Sequence, residues 1–150
     1  ADLLSEAALV HDVGKIGIDN RILHKRGPLS LAEREHVQTH AELSARIVEG
    51  VLSTEQVDWI RTHHERADGT GYPQGLEARD IPPGGALLAV ADAFDVMTVG
   101  RAYNRRRMYD EALQECLDLT GAQFCPAAVA ALERLLEPDL AAPMDRTTAG

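Results

Sequence analysis

A chain of 150 residues, 45% of them hydrophobic, is long enough for one domain with a sizeable core. With 15 basic against 24 acidic residues and a net charge of −9, it is a poor partner for DNA or RNA, whose binding neutralises many phosphates. No apolar run approaches the roughly 20 residues of a membrane helix and no signal-peptide pattern is present; Cys116 and Cys125 lack the spacing of a disulfide framework or a zinc knuckle, so a reducing cytoplasm is the expected setting.

Apolar residues recur at three- and four-residue intervals and no segment alternates as a strand would, so the predicted fold class is all-α. The first helix is predicted over residues 3–13 with Gly14 as its left-handed cap, which puts His11 and Asp12 in the last turn. Ser30 followed by Glu33 reads as a capping box, opening a second helix that Gly50 closes after Leu43, Ile47 and Val48. Ser53 with Gln56 repeats the signal for a third helix, which carries Val57 and Ile60 and delivers His63 and His64 at its end. Glycine and proline interrupt any helical pattern over 66–85, and a loop of about 20 residues inside a compact domain points to function. Further helices are predicted over 86–98, 110–119 and 126–137, the last with Pro126 at a favourable first position. Residues 1–137 read as one domain without internal repeats and 138–150 as a loose tail; the start at Ala1, directly in an amphipathic pattern, suggests a segment of something longer.

Six side chains suited to divalent ions punctuate these elements: His11, Asp12, His40, His63, His64 and Asp92. Neutral imidazole suits transition ions, and a carboxylate between histidine sites can bridge two of them. Each residue also has a bland reading. Asp92, in the apolar run Leu87-Leu88-Ala89-Val90-Ala91-Asp92-Ala93-Phe94, either meets a cation or faces water. His63 and His64, about 100° apart on a helix, could both be surface residues. His36 and His40 form an i,i+4 pair, a weak signal by itself, and His24 has no partner in sequence. Arg101 and the run Arg105, Arg106, Arg107 could serve a small anionic ligand or flank a solvated helix.

The segment His11-Asp12-Val13-Gly14-Lys15-Ile16-Gly17-Ile18, the lone His40, and His63-His64-Glu65-Arg66-Ala67-Asp68-Gly69-Thr70-Gly71-Tyr72-Pro73-Gln74-Gly75-Leu76 together resemble the HD-GYP domain, a bacterial subgroup of the HD hydrolase superfamily. The resemblance continues through Ile81-Pro82 and Val90-Ala91-Asp92-Ala93-Phe94-Asp95 to Arg101 and Tyr103. It implies an HD-type helical bundle with a long ordered GYP loop, and metal-dependent hydrolysis of cyclic di-GMP to linear pGpG, in some members onward to GMP. It also implies that Asp12 bridges two ions, iron or manganese, with His11 and Asp92 on one and His40, His63 and His64 on the other. The family's upstream helix, which adds a histidine and can support a third ion, would precede this start. Asp12 and Lys15 are then the expected catalytic residues, and Lys15, Tyr72 and Arg101 the expected substrate contacts.

Implied partners are cyclic di-GMP, an upstream sensor or receiver domain, a GGDEF-type cyclase and a second copy of the chain. Ala86 and Asn104 stand where the family has an arginine and a lysine, which predicts a weaker hold on an anionic substrate. Met108 and Cys125 stand where it often has helix caps. The alternative reading is therefore a catalytically weak or inactive module that binds a cyclic dinucleotide or a protein partner. A general HD nucleotidase would explain His11 and Asp12 but leaves His63, His64 and the Gly69 to Leu76 loop without a purpose.

Overall fold

A computed structural model describes residues 2–99 and 105–141. In chain order these form α1 (Asp2–Val10), a 3-10 helix (Val13–Gly17), α2 (Asn20–Leu23), α3 (Leu31–Val48), α4 (Thr54–Thr62), α5 (Pro83–Thr98), α6 (Arg105–Asp118) and α7 (Pro126–Ala141). Among the described residues there is no strand, only isolated bridges, so the fold is all-α as the periodicity predicts. No helix among them is long and apolar enough to cross a membrane.

Both predicted capping boxes form. The Ser30 hydroxyl accepts from the Glu33 N–H at 3.2 Å while the Glu33 carboxylate accepts from the Ser30 N–H at 2.7 Å. Ser53 and Gln56 repeat the exchange at the start of α4. Each box satisfies donors that the helix itself leaves unpaired. Gly50, at φ +82°, follows the last turn of α3 in the left-handed region where glycine has no steric penalty.

The glycine-rich elements depart from the sequence reading. α1 stops at Val10, so His11 and Asp12 lie in a turn and not in the helix. Gly14 is not among the glycines with positive φ; it sits inside the 3-10 helix, and a Cβ there would lie 2.3 Å from the His40 carbonyl oxygen and 2.5 Å from the Ser44 nitrogen. Its purpose is close approach to α3, sealed by a 2.8 Å hydrogen bond from its N–H to the Ser44 hydroxyl. α5 likewise begins at Pro83, ahead of the expected Ala86, because Gly84 and Gly85 pack against α4, where a Cβ on Gly84 would overlap the Trp59 ring. The gain in contact outweighs a glycine helix penalty of about 1 kcal/mol each.

α6 starts at Arg105 and ends at Asp118, which puts Met108 inside the helix and removes it as a cap position. α7 runs to Ala141, four residues beyond the expected end and into the stretch predicted to be loose; the rest of that stretch, 142–150, lies outside the described residues.

Two apolar clusters flank α5. Leu88 faces one, with Ala7 of α1, Ala45 and Val48 of α3 and Val57 and Ile60 of α4. Ala86 and Val90 face the other, with Leu113 and Cys116 of α6 and Phe124, Val129 and Leu132 at and within α7. A helix between two cores must be apolar on most of its circumference, which accounts for the composition of α5. The GYP loop is tied to the α6–α7 turn: the N–H groups of Ala67 and Asp68 donate to the carbonyls of Gln123 and Ala122 at 3.2 and 3.0 Å. Its order comes from this backbone pairing and from Ala67, Leu76, Ala78 and Ile81, which pack into the same core.

Candidate metal centre

Three packing seams converge on Asp12. The Gly14 seam sets the turn holding His11 and Asp12 against α3, where His40 is buried. The end of α4 supplies His63 as its C-cap and His64 immediately after. The glycine seam between α4 and α5 brings Asp92 alongside. One ligand atom from each of Asp12, His40, His63 and His64 lies within 4.8 Å of the others.

The two oxygens of Asp12 face different neighbours. Oδ1 lies 3.2 Å from His40 Nε2. Oδ2 lies 3.4 Å from His11 Nε2 and 2.5 Å from Lys15 Nζ. Asp92 reaches His11 from the far side, its Oδ1 3.7 Å from the same Nε2. All six residues expected to bind metal are therefore brought together, Asp12, His40, His63 and His64 as one cluster and His11 with Asp92 beside Oδ2.

Three of the rings are oriented in the same way. The Nδ1 atoms of His11, His40 and His63 lie 2.7, 2.7 and 2.6 Å from the carbonyl oxygens of Ala8, Val37 and Ile60, each three residues earlier. A carbonyl only accepts, so each ring carries a proton on Nδ1, and in its neutral form the Nε2 lone pair points into the centre. This is the arrangement that fixes a metal-ligating imidazole.

His11 Nε2, Asp12 Oδ1 and His63 Nε2 are buried without a hydrogen-bond partner. His40 and His64 bring their Nε2 atoms to 3.1 Å of each other. Unpaired buried atoms such as His11 Nε2, Asp12 Oδ1 and His63 Nε2 are costly unless a cation lies among them, so the residues present fit a metal ion.

The electrostatics agree. Burial pushes the Asp12 carboxyl up, but the His40 and Lys15 contacts and the charges of His11 and Lys15 outweigh it and hold the group ionised, well below the usual carboxylate range. Burial lowers His63 to about 4, and burial with the neighbouring His63 and His40 lowers His64 to about 3, so both rings stay neutral. The Asp92 contact raises His11 while His11 lowers Asp92. Neutral His63 and His64 and ionised Asp12 and Asp92 are in the forms a metal requires, while His11, drawn towards its protonated form by Asp92, would have to give up that proton to an ion.

A model of the HD domain matches residues 3–127. The chain belongs to the HD-domain family. Within it, the chain is of the HD-GYP type. This HD domain is 41% identical over 132 residues to a cyclic di-GMP phosphodiesterase of Thermotoga maritima, a match covering 86% of the chain and 36% of that protein. It is 36% identical over 140 residues to a 3′3′-cGAMP-specific phosphodiesterase of Vibrio cholerae, covering 91% of the chain and 26% of that protein. The chain thus spans about a third or less of the length of these relatives. The crystal structure of a cyclic GMP-AMP specific phosphodiesterase of Vibrio cholerae shares the fold at a TM-score of 0.63 and 22% identity, over 90% of this chain and 38% of that one.

Of the expected substrate contacts, Lys15 stands at the rim of the HD-domain centre, half-exposed and paired with Asp12. Tyr72 stacks on His64 with ring centroids 4.9 Å apart and meets His40 edge-on at 6.3 Å. Arg101, with Tyr103 and Asn104, lies outside the described residues. Ala86 is buried in the apolar core and does not line the centre. His24 caps its own short helix by a contact with the Asn20 carbonyl, and His36 is exposed, so neither joins the ligands.

Sequence reasoning passed over Glu65. It is 3% exposed, and its carboxylate oxygens accept the Gln74 and Leu76 N–H groups at 2.7 and 2.9 Å, clamping the GYP loop over the centre. Gly71 completes the fit, since a Cβ there would lie 2.3 Å from the Arg66 nitrogen. The available signal was a carboxylate directly following two ligand histidines, next to a loop whose amides need acceptors.

Proposed function

We propose that the domain hydrolyses a cyclic dinucleotide, with cyclic di-GMP as first substrate, using two divalent ions, iron or manganese. The observation that carries this reading is the division of Asp12, with Oδ1 turned to His40 and the buried imidazoles and Oδ2 turned to His11. His11, Asp12 and Asp92 would hold one ion, and Asp12, His40, His63 and His64 the other. Mixed imidazole and carboxylate donors suit iron and manganese. When bound, paired ions polarise a phosphoryl oxygen and make hydroxide available near neutral pH.

The protein's own groups do the rest. Lys15, at the rim beside Asp12, offers its ammonium to a phosphodiester oxygen and stabilises the negative charge that develops there. Tyr72 forms a flat wall for a base, its position set by His64 and by the Glu65 clamp on the following residues. The net reaction adds water across one P–O3′ bond, leaving a 5′-phosphate on one nucleotide and a free 3′-hydroxyl on the other, the linear pGpG, which a second round would take to GMP. Names of relatives support the substrate class, and their division between cyclic di-GMP and 3′3′-cGAMP leaves the choice of base to residues outside the metal ligands. The buried free thiols of Cys116 and Cys125 suit a reducing bacterial cytoplasm.

The test is to load the protein with manganese or, without oxygen, ferrous iron, count bound ions, and incubate with cyclic di-GMP. Chromatography should show pGpG accumulating. Fully loaded protein that leaves cyclic di-GMP, 3′3′-cGAMP and cyclic di-AMP intact would overturn the enzymatic reading in favour of a binding module.

A further inference from the structure

A cavity of about 510 Å³ opens on the outer face of α3, next to the metal centre and not part of it. Tyr72 joins the two: it lines this cavity together with Pro73, Leu43, Gln38 and Glu35, and it also lines the smaller cavity holding His63, His64 and Asp92. The larger volume lies in the range of small-ligand sites. We propose that it receives a guanine base of the substrate, and that Glu35 reads that base. The proposal rests on the cyclic-dinucleotide reading above and adds to it the residue that selects the base.

The lining chemistry decides what enters. Glu35, Glu42 and Arg46 put two carboxylates and one guanidinium on the cavity wall; with Arg46 drawn onto Glu42, the charge left for a ligand is the Glu35 carboxylate, which favours a group rich in N–H donors over a phosphate. Glu42 is already engaged, by Arg61 at 3.0 Å and Arg46 at 3.3 Å. Glu35 and Gln38 have no hydrogen bond or ion pair among the described residues, so both are free for a ligand. In a cyclic dinucleotide the phosphates sit in the macrocycle and the bases project outward. Tyr72 lines both cavities, so with a phosphate at the metal centre a base passing the Tyr72 ring enters the cavity that Glu35 lines.

Guanine presents N1–H and an exocyclic amino group side by side, a paired donor edge that one carboxylate accepts with both oxygens. Adenine presents one amino donor beside an acceptor nitrogen, and a carboxylate facing that nitrogen is repelled. A glutamine in place of Glu35 offers one donor and one acceptor and matches adenine. Leu43 and the Tyr72 ring supply apolar and stacking surface that accepts either base.

The test uses manganese-loaded protein, cyclic di-GMP as substrate and GMP and AMP as competitors. The unsubstituted protein should be inhibited more strongly by GMP than by AMP. Glu35→Ala should raise the KM for cyclic di-GMP about tenfold, with the larger share of the loss in KM over kcat, and bring the GMP and AMP inhibition constants together. Glu35→Gln should go further and favour AMP. Position 35 is exposed on a long helix, so both variants fold. If the unsubstituted protein hydrolyses cyclic di-GMP and neither variant changes KM or the GMP-to-AMP ratio, the base site is overturned and the catalytic reading stands. If the loaded protein neither binds nor hydrolyses any cyclic dinucleotide, the catalytic reading falls and this proposal with it.

Discussion

The two sides of Asp12 differ in what surrounds them. Around Oδ1, His40 and His63 are each 1% exposed, and their Nδ1 atoms are held by carbonyls of their own helices. Around Oδ2, His11, Asp92 and Lys15 are partly exposed and carry or oppose charge. One face of the carboxylate is thus lined by deeply buried rings held in place by their own helices; the other is ionic and more exposed. Preorganisation belongs to the first and the charged groups that meet a phosphate to the second, and a single carboxylate joins them.

Removing the bridge should have the largest effect. Asp12→Ala is expected to lose both ions and lower turnover by at least about a thousandfold, whereas His63→Ala and Asp92→Ala should each lose one ion, as read by metal analysis of the purified proteins. Equal retention of both ions in Asp12→Ala would mean that the two faces bind independently. Gly14→Ala attacks the seam that seats Asp12 against the rigid face, since its new Cβ would meet the His40 carbonyl at 2.3 Å. Overpacking against backbone should cost about 3 kcal/mol and lower the melting temperature by roughly 10 °C. A melting curve unchanged by this substitution would show that the seam yields.

Lys15→Ala attacks the open face alone. Turnover of cyclic di-GMP should fall about a hundredfold, the size of a lost charge-stabilising donor, while bound metal stays within a few tenths of an ion; parallel loss of metal and rate would make Lys15 a structural partner of Asp12.

Acid should sharpen the contrast further in chelator-stripped protein. His63, lowered by burial to about 4, and His64, lowered by burial and by its neighbouring rings to about 3, are neutral when folded and take up protons when unfolded below about 6.5. The unfolded chain then binds more protons, so stability falls as the pH drops from 7 towards 4. His11, raised chiefly by Asp92, works in the opposite sense and offsets part of the loss. A net loss on the order of 2 kcal/mol between pH 7 and 5 is expected from thermal melts, and a flat profile would show the deep rings to be solvated. The smallest effect belongs to Glu65→Gln, which leaves one loop amide facing an amide donor and should cost about 1 kcal/mol with a modest rise in KM.

The order of elements was legible in the sequence because it depends on local signals. The capping boxes at Ser30 and Ser53, the apolar run of α5 and the proline opening α7 each act within a few residues. The ligand types and their spacing along the chain were legible too, as was their likeness to a family. The glycines were where local reading failed. Gly14 looked like a helix terminator and Gly84 and Gly85 like loop, yet each permits contact with a distant helix, and the sequence of one helix does not say which backbone will approach it. The same holds for Glu65, whose acceptors serve amides nine and eleven residues on, and for the empty face of α3 that carries Glu35.

By itself, then, the sequence determined which side chains could bind a cation and which segments would be helical, since both follow from residue chemistry and short-range periodicity. Only the tertiary structure decided that Asp12 turns one oxygen to His40 and the other to His11, that the Nε2 atoms of these rings face the carboxylate, and that Tyr72 lines two cavities. Those facts arise where separate helices meet, and the distances between them are set by packing of side chains far apart along the chain.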